Sequence, residues 1–427
     1  MQVNVSAIIV FQQSRELSIA FLRHLFYNNE KSLCIIRYIA LREMRMAESG
    51  FVVFYHKQTP KSLLRPYDNA EKISVDKLKR DMLLGRQEQS ILFILPNAKL
   101  ASAAALCKET GCKNVSVLIP DNGFRTEEPI RIDVSKPRLN YMETEISRRC
   151  NLNCRGCCDF IQLAGDEPPF YDPDAFIQDL SQLKTKFWGV EKIRLMGGEP
   201  LLIKEIDAYA EQTRRIFPDA DIRIVTNGLM IPTLSSETLA KLKKLGVSFD
   251  ISNYPPTRHK RKEIAGTLRH AGVSYDFGPP IRCFLKNISE QPAEDPKPSF
   301  DNCLFTHCHM MNQGGILTPC SFAYCIRRFN RRFGADYTEA DCIDLYQTDK
   351  DGWQIMEWLS NPHLFCCSCT AGMVPIRWRD GVHRDDAVKE DWIIPKNICT
   401  DHVIPFLQHM LIPAAKSLRA FIQRNKN

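Results

Sequence analysis

Three cysteines, Cys150, Cys154 and Cys157, share one short run, Arg149-Cys150-Asn151-Leu152-Asn153-Cys154-Arg155-Gly156-Cys157-Cys158. Spaced C-x3-C-x2-C on a single loop, they can converge on neighbouring corners of an iron–sulfur cube. A fourth cysteine would close such a cluster, as in electron-transfer proteins, whereas three leave one iron open for chemistry. The competing chemistry is a zinc loop, because cysteine pairs spaced x2 also suit zinc. Zinc predicts a fourth ligand nearby, and it gives no reason for a second motif downstream, Met196-Gly197-Gly198-Glu199-Pro200. There, two glycines let the backbone approach a ligand closely, and the carboxylate of Glu199 can accept from an ammonium.

Two further strand ends carry polar groups. Val225-Thr226-Asn227-Gly228 and Phe249-Asp250-Ile251-Ser252-Asn253 present Asn227 and Ser252. Both also suit turn or cap positions, which is the plainer reading. Taken with the cysteine run and the Gly-Gly-Glu turn, this pattern resembles the radical S-adenosylmethionine (radical SAM) superfamily. The resemblance implies a catalytic [4Fe–4S] cluster on Cys150, Cys154 and Cys157, with Cys158 an adjacent non-ligand. It implies S-adenosyl-L-methionine bound at the open iron, with Gly197, Gly198 and Glu199 at its methionine amino group. Asn227 and Ser252 are then candidates for its ribose or carboxylate. Gly156 departs from the family, many of whose members carry an aromatic residue there.

A second cysteine set follows. Eight cysteines lie between Cys303 and Cys369, around the turn Gly314-Gly315-Ile316-Leu317-Thr318-Pro319-Cys320 and the run Cys366-Cys367-Ser368-Cys369. This resembles the SPASM or twitch extension, which holds an auxiliary [4Fe–4S] cluster. Cys303, Cys320, Cys366 and Cys369 make a set of four, with Cys308 the rival to Cys303. Cys325, Cys342 and Cys367 are possible further ligands, and His307 and His309 flank Cys308. A zinc knuckle is the competing reading here. The isolated Cys34, Cys107, Cys112, Cys283 and Cys399 read as small buried hydrophobes.

The elements that must position these groups follow from periodicity. Strand-like runs at Tyr141–Ile146, Lys192–Met196, Asp221–Thr226, Ser248–Ser252 and Val273–Phe277 alternate with helical patterns at Pro173–Phe187, Ile206–Ile216 and Ser236–Leu245. This alternation predicts an α/β fold with a parallel sheet and crossover helices. The stretch is short for an eight-fold barrel, so a partial (β/α)6 TIM-like barrel over 138–290 is expected. The cysteine run follows its first strand, at the end where parallel α/β folds gather catalytic groups.

Residues 1–135 predict a small α/β, Rossmann-like domain. It comprises a strand over Val5–Phe11, a helical pattern through Leu17, Phe21 and Leu25, then strands Ile91–Leu95 and Val115–Ile119 around a helix Leu100–Thr110 that closes at Gly111. Gln12-Gln13-Ser14 after the first strand gives no glycine support for dinucleotide binding. A structural or recognition domain is expected instead. Beyond a polar, proline-rich linker, Gln291–Pro298, a cysteine-rich domain spans 300–375, in which regular periodicity fades and Trp353–Leu359 forms a helix. A helical tail spans 376–427, with apolar Val403, Phe406, Leu407, Met410 and Leu411 and a break at Pro413.

The bulk numbers fit a soluble globular protein. In 427 residues the net charge is +7, and the basic stretch Arg258–Lys262 lacks interleaved aromatics, so no nucleic-acid groove is expected. Ser14, Arg15 and Glu16 interrupt the first apolar residues, and no run is long enough to span a bilayer. A cytoplasmic protein with no membrane partner is the expectation, and 17 cysteines there argue for metal sites over disulfides.

The resemblance implies reductive cleavage of S-adenosylmethionine to a 5′-deoxyadenosyl radical that abstracts substrate hydrogen, with flavodoxin or ferredoxin as the reductant. An auxiliary cluster suggests oxidation or epimerisation, and no winged-helix peptide-recognition domain is evident. A carbohydrate, glycan-type or nucleotide-linked small molecule is therefore the expected substrate, with a peptide as the alternative. A non-catalytic iron–sulfur or zinc-binding protein is the reading from outside the enzyme class.

Overall fold

The computed structural model describes residues 51–395, apart from 60, 68–69, 76, 97–98 and 121–127. The expected first strand and helix, the C-terminal tail beyond residue 395, Cys34 and Cys399 lie outside the described residues. Residues 376–395, expected to begin a helical tail, instead finish the strand Cys369–Arg377 and form the strand Ile393–Ile394.

The chain first builds a five-stranded sheet. Strands β1 (Phe51–His56), β2 (Glu71–Val75), β3 (Ser90–Ile94), β4 (Asn114–Leu118) and β5 (Ile130–Ile132) lie in the order β2-β1-β3-β4-β5. All neighbours are parallel except β5, which runs antiparallel to β4. Helix α1 (Leu100–Thr110) packs Leu100, Ala103, Ala104 and Cys107 into its core and ends at Gly111, whose φ of 77° suits a residue without Cβ.

The second sheet carries the cysteine loop. Strands β6 (Arg138–Ser147), β7 (Gly189–Gly197), β8 (Asp221–Thr226), β9 (Ser248–Ile251) and β10 (Ser274–Phe277) pair in parallel and in sequence order. Helices α2 (Pro173–Lys186), α3 (Ile206–Ile216), α4 (Ser236–Lys244) and α5 (Arg261–Ala271) make the four crossovers. Local chemistry explains their starts. Asp172 accepts from Ala175 N at 2.9 Å ahead of Pro173, and Ser235 accepts from Thr238 N at 3.0 Å.

Six repeats in series were expected, and five strands are found before the series stops. After β10 comes Gly278-Pro279-Pro280, and proline disfavours helix both at its own position and just before it. The chain instead leaves as β11 (Cys283–Ser289), which joins a separate sheet with β15 (Cys369–Arg377) and β16 (Ile393–Ile394). The sixth parallel strand comes from the cysteine-rich segment. Strand β12 (Met310–Asn312) adds beside β6 on the side away from β7, and β13 (Ile316–Thr318) and β14 (Ile343–Asp344) extend the sheet antiparallel.

One face of β6–β9 supplies Met142, Ile146, Ile193, Leu195, Ile222, Ile224, Phe249 and Ile251 to the main core, joined by Met311, Leu317 and Ile343 from the added strands. Alternate positions carry charge. Arg194 meets Glu143 at 3.0 Å and Asp250 at 3.2 Å, and Arg223 meets Asp250 at 2.8 Å.

Helix α6 (Ser321–Phe333) lies in the segment where periodicity was expected to fade, and α7 (Gly352–Leu359) follows with Asp351 and Gln354 forming a capping box. No helix among the described residues is long and apolar enough to cross a membrane.

Candidate functional site

The cysteine loop leaves β6 and turns over the ends of β7, β8 and β9. Cys150, Cys154 and Cys157 line a cavity of about 200 Å³ together with Gly197, Gly198, Thr226, Asn227, Ser252 and Tyr254. The loop's backbone is fastened to the glycine turn. Gly198 N donates to Ser147 O and Glu199 N to Arg149 O, both at 2.7 Å. A Cβ at Gly197 would stand 2.3 Å from Ser147 O, and one at Gly198 would stand 2.1 Å from Arg149 O. The pair of glycines therefore admits the cysteine loop itself against the strand end, beside whatever ligand the cavity takes.

Glu199 lies behind the cavity wall. Its side chain is fully buried, while the neighbouring Gly197 and Gly198 line the cavity. Its carboxylate accepts from Thr226 Oγ1 at 2.6 Å, Asn227 N at 2.8 Å and Leu201 N at 3.0 Å. Burial pushes its pKa up to about 7, against the pull of these donors. The residue braces the end of β8 against the end of β7. Asn227 and Ser252 do line the cavity, and Asn227 Nδ2 also donates to Asn151 Oδ1 at 2.7 Å, tying β8 to the cysteine loop.

The three thiols differ in surroundings. Burial pushes the pKa of Cys150 up to about 11 and raises that of Cys154 further. The hydrogen bond from Cys158 lowers Cys157 to about 7. Cys154 Sγ accepts from Trp378 Nε1 at 3.3 Å, and Cys150 Sγ from Leu152 N at 3.5 Å. Three soft thiol donors lining one cavity together with glycine and polar strand-end groups are a donor set that suits an iron–sulfur cluster beside a small cofactor. Arg328, on α6, holds the support behind the loop. It is wholly buried, grips both carboxylate oxygens of Glu145 at 2.7 Å, reaches Glu167 at 2.6 Å, and donates to Asp159 O at 2.7 Å.

A second, smaller cavity of about 40 Å³ is lined by Cys303, Cys320, Cys366 and Cys369, with Phe305, Phe322, His307 and His363. Burial pushes Cys320 up to about 12 and raises Cys366 and Cys369, and the neighbouring thiols raise all three further. Cys308 is not among the lining residues. His307, with φ of 75°, precedes it, and Cys308 N donates to Phe305 O at 2.9 Å, so the chain turns there, and of the two rivals it is Cys303 that lines the cavity. Cys325 is buried on α6 near Arg328, Cys342 is exposed, and Cys367 Sγ lies 3.8 Å from Glu294 O. His309 is buried with Nδ1 3.3 Å from Pro319 O, and Cys107 and Cys112 are buried in the first sheet's core.

Sequence reasoning missed Tyr254, Thr226 and Trp378 as residues around the first cavity. Thr226 and Tyr254 sit next to motifs already singled out, whereas nothing in the local sequence marks Trp378.

Residues 144–270 match the Radical SAM superfamily. The chain carries a radical SAM domain, whose family works with a [4Fe–4S] cluster and S-adenosylmethionine. Among curated relatives, the chain is similar to GTP 3',8-cyclase of Campylobacter jejuni subsp. doylei, 32% identical over 126 residues, which are 28% of this chain and 37% of that one. GTP 3',8-cyclase of Sulfurovum sp. is 29% identical over 146 residues, 32% of this chain and 42% of the relative. The match thus spans less than half the length of these relatives. Among solved structures, BtrN in complex with AdoMet and 2-DOIA is 18% identical, covering 55% of this chain and 94% of its own, with a TM-score of 0.34. SuiB of Streptococcus suis bound to S-adenosylmethionine is 10% identical, covering 54% and 68%, with a TM-score of 0.30.

Proposed function

We propose that this chain is a radical SAM enzyme acting on a small molecule, with its catalytic cluster on Cys150, Cys154 and Cys157 and an auxiliary cluster of SPASM or twitch type on Cys303, Cys320, Cys366 and Cys369. One observation carries the reading: the three thiols and the ends of β7, β8 and β9 line a single cavity. When bound, the cluster and S-adenosylmethionine supply a 5′-deoxyadenosyl radical that takes hydrogen from substrate.

The chain's own residues orient and shield. The backbone at Gly197 and Gly198 forms one wall, Asn227 and Ser252 offer hydrogen bonds to the cofactor's polar groups, and Glu199 holds the strand ends in register from behind. Oxidation or epimerisation of a carbohydrate or nucleotide-linked molecule accords with a second cluster, which can accept an electron. A second reading, ring closure on a purine nucleotide, is favoured by the named relatives. Their similarity covers about the extent of the cofactor-handling core, so it speaks to the cofactor more than to the substrate.

The test is anaerobic purification with iron, sulfide and zinc analysis, then reduction with dithionite in the presence of S-adenosylmethionine. Two clusters per chain and release of 5′-deoxyadenosine are expected. A colourless protein holding only zinc would contradict the reading, and intact clusters without 5′-deoxyadenosine would favour a non-catalytic iron–sulfur protein.

A further inference from the structure

The cysteine loop is strapped from outside by a segment far away in sequence. Gly381 N donates to Leu152 O at 2.8 Å, Val382 N to Asn153 O at 3.0 Å, Arg155 N to Arg379 O at 2.8 Å, and Trp392 Nε1 to Cys157 O at 2.8 Å. Arg155 Nε pairs with Asp391 Oδ1 at 2.7 Å. Gly156 makes this approach possible. Its φ is 65°, and a Cβ there would stand 2.7 Å from Asp391 O.

Within the strap, one contact reaches a sulfur. Trp378 Nε1 lies 3.3 Å from Cys154 Sγ. Its ring is fixed by stacking on Tyr254, at 5.5 Å between centroids and 22° between planes, and by the bond from Trp378 N to Arg282 O at 3.0 Å. An N–H aimed at a ligating sulfur stabilises the extra negative charge that a cluster gains on reduction. Hydrogen bonds to sulfur are among the factors that set cluster potentials.

We propose that Trp378 is a positioning residue that raises the reduction potential of the cluster held by Cys154, through its indole N–H. This rests on Cys154 being a cluster ligand. The step concerned adds one electron from a low-potential donor such as dithionite, taking the cluster from its 2+ to its 1+ state with no bond made or broken.

The test is a redox titration of the reconstituted full chain, read by the electron paramagnetic resonance of the reduced cluster. W378F keeps an aromatic ring on Tyr254 and loses the N–H. Its reduction equilibrium is expected to fall about tenfold, which for one electron is about 59 mV more negative. W392F, which removes an indole bond to a backbone carbonyl of the same loop, is expected to leave the potential at the parent value. An unchanged potential in W378F would overturn the proposal, as would equal shifts in both variants, since loosening of the strap would then explain them. Parent protein labelled with 15N in its tryptophan indoles gives a reading that needs no variant. Hyperfine coupling from one indole nitrogen to the reduced cluster is expected, and its absence would overturn the proposal. A parent with no reduced-cluster signal at all would instead sink the reading of Cys154 as a ligand.

Discussion

The two cysteine sites are assembled in opposite ways. At the first, three thiols come from one turn of chain, and distant segments supply only the support: Arg328 from α6 behind, and residues 378–392 in front. At the second, no two of Cys303, Cys320 and the pair Cys366 and Cys369 are close in sequence. One follows a short helix, one heads α6, and the last two lie in a tight turn and at the start of β15. A local set needs little loop closure to form, while a dispersed set depends on the surrounding fold to meet. The first site should therefore tolerate loss of the second, whereas damage to the shared support should reach the first directly.

The largest effect is expected at that shared support. Arg328→Ala takes two charge-assisted hydrogen bonds from the buried Glu145, leaving it Arg148 Nε at 3.2 Å, and should cost about 1.5–3 kcal/mol of stability in a denaturant titration. A cost within error of zero would show that α6 does not brace the cysteine loop. Next comes Gly198→Ala, whose added methyl would meet Arg149 O. Formation of 5′-deoxyadenosine should fall at least ~tenfold, as a misplacement of about 1 Å at a reacting centre can cost more than that. Full activity would mean that the loop can give way at no cost.

A smaller change sharpens the contrast between the sites. Cys303→Ala should lose roughly half the iron per chain while keeping the reduced-cluster signal of the first site. Loss of all iron would mean that the two sites assemble as one. The smallest effect concerns Glu199, whose folded pKa is raised from 4.5 to about 7 by burial. Its contribution to stability is present in full below about 4.5 and is lost as pH rises through about 7, because the folded state there holds a proton that the unfolded state has released. Thermal unfolding of Glu199→Gln should show a flatter pH dependence across that window, and an unchanged slope would contradict the burial argument.

The same contrast governs how much was legible in the sequence. Helix α3 was read at its observed bounds, and α2 and α4 to within a residue at their ends, because amphipathic spacing and capping residues are local signals. The cysteine loop was legible for the same reason. Helix α6 was not, although Phe322, Cys325, Ile326, Phe329 and Phe333 keep helical spacing, since interleaved arginines and cysteines masked the pattern. Strand β1 is a continuous apolar run, Phe51-Val52-Val53-Phe54-Tyr55, whose lack of alternation does not by itself separate strand from buried helix. The inward turn of Glu199, the place of β12 beside β6 and the reach of Trp378 to Cys154 are contacts between residues far apart in sequence, on which local pattern is silent.

The most direct measurement compares Cys150→Ala with Cys369→Ala, each reconstituted, reduced and given S-adenosylmethionine, with 5′-deoxyadenosine counted per chain. Cys150→Ala should form none, and Cys369→Ala should retain part of the parent's yield. Equal yields from the parent and Cys150→Ala would contradict the assignment of the catalytic cluster to the loop after β6.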